Sequence, residues 1–364
     1  MAQSNLRNYS SNHYTNIDEK DIADVIQLLF ENANSTAYQN KEPWRIAYQN
    51  SIPLLLVSLK GEDKKLYEII LKKMGTEIAT FEKSHPDFAA WMWGRVLFAA
   101  INMGNDEYTI IRAATKIENC LNRAGRNAVS AWGFGYLARY YTYGATAALS
   151  SINKKYHFCI SKALEITESL PTKTPDDISS ALWSYVMMLH ASATHHDDRM
   201  TFNQISEKMK AITKTSSIDD ALEKIPSSDF KKWAMSTTYV STAMMGGDEK
   251  ICTHEKLNMM LMHSKHEIEV AYKKLSSLHL DAKSTAVDLK NFENLNRDLG
   301  NSALAFLYAA YAECCLTQKP QNKSAHAQSI NALMADTHGN TAAAAAATTA
   351  TAPPKNPIFK KKIK

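Results

Sequence analysis

Basic and aromatic side chains alternate through residues 119–164, NCLNRAGRNAVSAWGFGYLARYYTYGATAALSSINKKYHFCISKAL, a stretch without Asp or Glu. It carries Arg123, Arg126, Arg139, Lys154, Lys155 and Lys162, with Arg112 and Lys116 just ahead of it. Trp132, Phe134, Tyr136, Tyr140, Tyr141, Tyr143, Tyr156 and Phe158 are interleaved among them. Such a mixture suits a single-stranded nucleic acid. Cations neutralise phosphates and release counterions, aromatic faces stack on bases, and arginine adds cation–π attraction. A carboxylate in the same groove would repel phosphate. Arg112, Lys116 and Arg123 are spaced by four and seven, so one helix face can present all three. Tyr140 is the candidate stacking ring, and Gly125, Gly133 and Gly135 permit close backbone approach. The opposing reading is packing, in which aromatics at helical spacing form core and the cations form a solvated rim.

Other constellations point to less. His190, His195, His196, Asp197 and Asp198 contain metal-ligand types, but a five-residue separation of His190 and His195 is poor for one helix face. His254-Glu255 is followed by Asn258 where a zincin needs histidine. His263, His266 and Glu267 lie among Met259, Met260 and Met262, which read as packing. No GxxxxGK[ST], GxGxxG or GxSxG motif occurs. The expectation is a binding protein without catalytic residues, metal or cofactor.

The elements that would position these residues are helices. Gly and Pro are scarce within long apolar-periodic stretches, and strand-like alternation is nearly absent. The pattern predicts an all-α protein with fourteen helices between residues 18 and 335, among them 44–59, 86–103, 128–150, 176–195, 283–298 and 300–317. Pro86 and Pro175 mark helix starts, Asp176 and Asp177 favour the positive end of a helix, and Gly246-Gly247 ends one. Trp91, Trp132, Trp183 and Trp233 fall near helix starts at spacings of 41, 51 and 50, but their neighbours do not match, so a regular repeat is not expected. Pro171–Pro175 is the strongest punctuation. It divides the chain into a polar arm (1–16), a helical lobe (17–172), a second helical lobe (173–336) and an Ala/Thr/Pro/Lys tail (337–364) expected to be disordered.

The formal charge of +5 is accounted for by five lysines in that tail, leaving residues 1–336 neutral. A basic surface must therefore come from local segregation of charge. Five cysteines without a Cys-x-x-Cys favour neither a zinc finger nor a disulfide framework. No apolar segment suggests a signal peptide or membrane insertion.

Two strings add a resemblance. Ala181–Tyr185, ALWSY, matches the first half of an aromatic motif that reads approximately ALWSYAMG in paramyxovirus-like nucleoproteins, with Val186–Met188 replacing its ending. Phe230–Gly246, FKKWAMSTTYVSTAMMG, is similar to their Phe…Tyr…Ser-x-Ala-Met-Gly pattern with one inserted methionine. The chain thus resembles nucleoproteins of non-segmented negative-strand RNA viruses. The resemblance implies two helical lobes clamping single-stranded genomic RNA, homo-oligomers linked through terminal arms, and a viral polymerase or phosphoprotein as partner. It implies a virion and host-cytoplasm location, with the nucleus as an alternative. It places Lys231, Lys232, Tyr239 and Ser241 near the RNA cleft or in support of the second lobe, while Trp183 reads as core. The alternative is an irregular, tetratricopeptide-like helical scaffold or effector that holds a partner protein in a groove.

Overall fold

The structure is a computed structural model that describes residues 19–36, 41–61, 63–104, 107–142, 150–195, 198–226, 228–245, 251–278 and 284–317. The N-terminal arm, the tail, the helix expected at 323–335 and Gly246-Gly247 lie outside the described residues. The protein is all-α. Among the described residues there is no strand, and thirteen helices follow one another. They are α1 (Glu19–Ala33), α2 (Pro43–Lys60), α3 (Lys64–Phe81), α4 (Pro86–Met103), α5 (Glu107–Leu121), α6 (Ala128–Thr142), α7 (Ser150–Ser169), α8 (Pro175–Thr194), α9 (Arg199–Thr213), α10 (Ile218–Glu223), α11 (Ser228–Met244), α12 (His254–Ser276) and α13 (Ala286–Thr317).

Local chemistry sets most of these ends. Proline opens α2, α4 and α8, where its missing N–H costs nothing. Thr174 and Asp177 form a reciprocal capping box at the start of α8. Ser217 caps the six-residue α10 through the Asp220 N–H, a helix too short for periodicity to reveal. The two helices expected at 283–298 and 300–317 are instead one, α13. Gly300 does not interrupt it. A Cβ there would lie 2.2 Å from Ile52 Cγ2, so the glycine admits α2 at close approach.

Two kinds of helix alternate along the chain. α2, α4 and α8 are buried almost all round, with unbroken buried runs from Gln49 to Ser58, Ala89 to Ala100 and Ala181 to Ala193. α3 and α5 bury one stripe each, Tyr67, Ile70, Met74, Ile78 and Phe81 in α3, and Ile110, Ala113, Ala114, Ile117 and Cys120 in α5. Helix adjacency follows the same division. α2, α4, α6, α8, α11 and α13 pack each against the next, and α13 packs back on α2, closing a six-membered ring. α1, α3, α5, α7, α9 and α12 pack outside it against inner helices adjacent in the chain. Apolar burial at roughly 1.5–3 kcal/mol per large side chain gives the inner helices their place.

The inner helices run parallel to one another, as matched pairs along the seams of α2–α4, α6–α8 and α13–α2 show. Arg95 reaches Ser51 at 2.6 Å, and further along Asn102 reaches Ser58 at 3.5 Å, joining α4 to α2. Trp132 meets Trp183 early in α6 and α8, and Thr142 meets Thr194 at their ends. Ring closure places Arg45 on Glu293 and Asn296 on Gln49, at 3.5 and 2.6 Å. A chain of aromatics runs through one level of the ring: Trp44–Phe88, Phe88–Trp91, Trp91–Trp132, Trp132–Trp183 and Trp183–Trp233, with centroids 3.9–5.9 Å apart. The tryptophan spacing in the sequence is therefore the length of one inner-plus-outer helix pair. Pro171–Pro175 is the connection from outer α7 to inner α8, and helices before and after it share one apolar core.

Candidate anion-binding site at the ring centre

The residues singled out by the sequence separate into several places. Arg112 and Lys116 of α5 lie over the Trp93 ring at 5.6 and 6.0 Å. Lys116 and Arg123 also share Glu82, at 3.0 and 3.7 Å. Arg112 and Lys116 are on α5, whereas Arg123 lies in the turn beyond its end, and a carboxylate from the end of α3 sits on Lys116 and Arg123. Arg126 pairs with Glu165 at 2.8 Å, as does Lys162. Tyr140 is half-buried against Tyr141, whose hydroxyl donates to Glu118. Lys155 lies 5.2 Å from the Tyr141 ring centroid, and Lys154 is exposed. Lys231 pairs with Glu223, and Lys232 with Glu267 at 2.6 Å. Tyr239, Ser241 and Trp183 are buried. These groups do not gather on one concave face. The acid-free stretch is acid-free only along the chain, because Glu82 and Glu165 come to it in space.

Met259 and Met262 are not packing residues: both are exposed on the outer side of α12, and only Met260 is partly buried. Among the described residues, no group of three His, Cys, Asp or Glu is placed to hold a metal, and no helix is long and apolar enough to cross a membrane.

Arg139 goes elsewhere, into the ring. Its Nη1 donates to Nε2 of His190 in α8, and its guanidinium lies over Phe98 of α4 at 4.4 Å. A second arginine, Arg95 of α4, joins it inside. Arg95 is 7% exposed, donates to Ser51 Oγ, and lies over Trp91 and Tyr48 at 4.7 and 5.3 Å. Tyr136 of α6 and Tyr308 of α13 face both arginines. α6 and α13 are not neighbours in the ring, so these side chains meet across its centre. Burial raises the Tyr136 and Tyr308 hydroxyls above their ordinary value and lowers the Arg139 guanidinium.

The hydrogen bonds fix the state of His190. Arginine only donates, so Nε2 of His190 accepts and Nδ1 carries the proton. Nδ1 then donates to Ser241 Oγ at 3.2 Å, and Ser241 donates to the Thr237 carbonyl at 2.7 Å. His190 is thus neutral, and burial followed by the Arg139 charge holds its pKa well below the usual histidine value. The role of Ser241 is to orient this imidazole.

Neither buried arginine has a carboxylate partner among the described residues, and the Nε of each is buried without a hydrogen bond. Aromatic faces and hydroxyls compensate part of the charge, and the last turn of α6 favours Arg139 through its dipole. Uncompensated buried charge costs several kcal/mol, so two such cations in one interior form a strong anion-attracting centre. Sequence reasoning missed Arg95. Its signal was a single charge inside the apolar run WMWGRVLFAA, where an arginine cannot reach solvent from an inner helix.

No protein-family model matches the chain, and neither a curated protein nor a solved structure is significantly similar to it.

Proposed function

We propose that this protein binds a small anionic molecule at the centre of its helical ring, with Arg95 and Arg139 as the charged contacts. The observation that carries this reading is the pair of interior guanidiniums with unpaired Nε groups and no carboxylate beside them. An anion would supply the missing acceptors and gain charge-assisted hydrogen bonds worth roughly 1.5–3 kcal/mol each. The test is thermal unfolding of the protein with increasing succinate or inorganic phosphate at constant ionic strength. A saturable rise in Tm that Arg95→Gln and Arg139→Gln each diminish is expected. A flat response to every small anion would refute it.

A second reading keeps single-stranded RNA on the outer surface, in a nucleoprotein-like role with oligomers linked through the terminal arms. One observation favours it. Arg112 and Lys154 have no carboxylate partner among the described residues, and each shares a helix face with an exposed aromatic, Tyr108 on α5 and Phe158 on α7. Salt-sensitive binding of an RNA homopolymer, lost on Arg112→Glu with Lys154→Glu, is the expected result. Glu82→Gln would strengthen it by freeing Lys116 and Arg123. Protein that purifies free of RNA and ignores RNA at low salt would end this reading.

A further inference from the structure

The two arginines stand at different levels of the ring, which constrains what they can hold. Arg95 lies over Trp91 and Arg139 over Phe98, and both rings belong to α4. Seven residues separate them, so the levels differ by about 10 Å at 1.5 Å per residue. Most partners of the two guanidiniums are also distinct: Ser51, Tyr48 and Trp91 for Arg95, and His190 and Phe98 for Arg139, while Tyr136 and Tyr308 face both. Two separate sets of contacts favour two anionic groups over one. Tyr136 and Tyr308, which face both arginines, and Phe98, against Tyr136, offer ring faces and hydroxyls but no charge.

We infer that the ligand carries two anionic groups held apart on a short stem, one group for each arginine. This rests on the anion-binding reading above and names its ligand class: a dicarboxylate, or a carboxylate bearing a phosphate. The stem packs against Phe98, Tyr136 and Tyr308. The polar groups around it are donors or hydroxyls, and the neutral His190 adds no second cation beside Arg139. The first anionic group to be met is at Arg139. Residue 139 stands in the last turn of α6 and is less fully buried than Arg95, although its Nε is closed off from solvent, whereas Arg95 lies deeper along α4. Entry is therefore from the side where the inner helices end, near Thr142 and Thr194.

The experiment is calorimetric titration of the full chain with acetate and inorganic phosphate as single anions, succinate, glutarate and adipate as spaced dianions, and 2-phosphoglycolate as the phosphate-bearing form. At least one spaced dianion is expected to bind about tenfold or more tightly than acetate and phosphate, consistent with one additional charge-assisted contact. Arg95→Gln should bring that dianion down to single-anion affinity while leaving acetate binding at Arg139 intact. Arg139→Gln should do the converse at Arg95. Where a glutamine variant fails to fold, Arg95→Lys or Arg139→Lys keeps the charge, loses the fork, and should weaken the dianion selectively. Stronger binding of 2-phosphoglycolate than of any dicarboxylate would assign the phosphate-bearing class, and the reverse order the dicarboxylates. If single anions bind as well as every spaced dianion, the two-point inference is overturned while the anion site stands. If no anion binds, the site itself is overturned.

Discussion

Arg139 of α6 donates to the imidazole of His190 across a seam of the ring, and the same imidazole passes a hydrogen bond on to Ser241 of α11. Three inner helices are thereby joined through one neutral histidine that contacts a cation. Such an arrangement holds only while the imidazole stays unprotonated.

Stability should therefore fall in mild acid. The folded pKa of His190 is depressed by burial and by Arg139, whereas the unfolded group titrates near about 6.5. Below that pH the unfolded chain takes up a proton that the folded protein refuses. The contribution is complete above about pH 6.5 and is lost, at up to about 1.4 kcal/mol per pH unit, as the pH drops towards the folded value. Urea midpoints across this range should show a steeper decline for the wild type than for His190→Gln. Parallel slopes in the two proteins would show that His190 does not titrate in this way.

Arg139→Gln should leave the ligand-free protein at least as stable as the wild type near neutral pH. It removes a buried cation without a carboxylate partner, which offsets the lost hydrogen bond to His190. Denaturant unfolding measures this directly. A loss above about 3 kcal/mol would mean that the charge is already compensated within the fold.

The indoles of Trp183 and Trp233 stack at 3.9 Å with an interplanar angle of 20°. Coupled transitions in rings this close should give an exciton couplet in the circular dichroism spectrum. Trp233→Leu should weaken the couplet while preserving helicity, leaving the part due to Trp91, Trp132 and Trp183, and Trp44→Leu should leave it unchanged. A couplet of unchanged amplitude in Trp233→Leu would place that ring away from Trp183.

Gly300→Ala should destabilise the protein by about 1–3 kcal/mol, because its Cβ would enter the space of Ile52 on α2. Ile52→Ala carries its own cavity cost, yet the double variant should be less destabilised than the sum of the two single changes. Strict additivity in denaturant unfolding would show that α2 and α13 do not meet there.

Helices were legible in the chain because their causes are local. The Thr174–Asp177 box, the prolines at 86 and 175, and the one-sided apolar stripes of α3 and α5 act within a turn or two. Arg112 and Lys116 share a helix face for the same reason, whereas Arg123 falls in the turn after α5. The tryptophan spacing was also visible, but its meaning was not, since residues near 91, 132, 183 and 233 become neighbours only when the inner helices lie parallel.

What the sequence by itself determined is the all-α class, most helix ends and the segregation of acids from residues 119–164 along the chain. Tertiary structure decided what that segregation amounts to. Folding brings Glu82 onto Lys116 and Arg123 and Glu165 onto Arg126, because opposite charges pair through space without regard to chain position. It also turns Arg139 inward, alongside Arg95 from another helix, where two solitary arginines become one charged interior. Helical periodicity assigns a residue to a face. Only the closing of the ring decides whether that face meets water, a carboxylate or another cation.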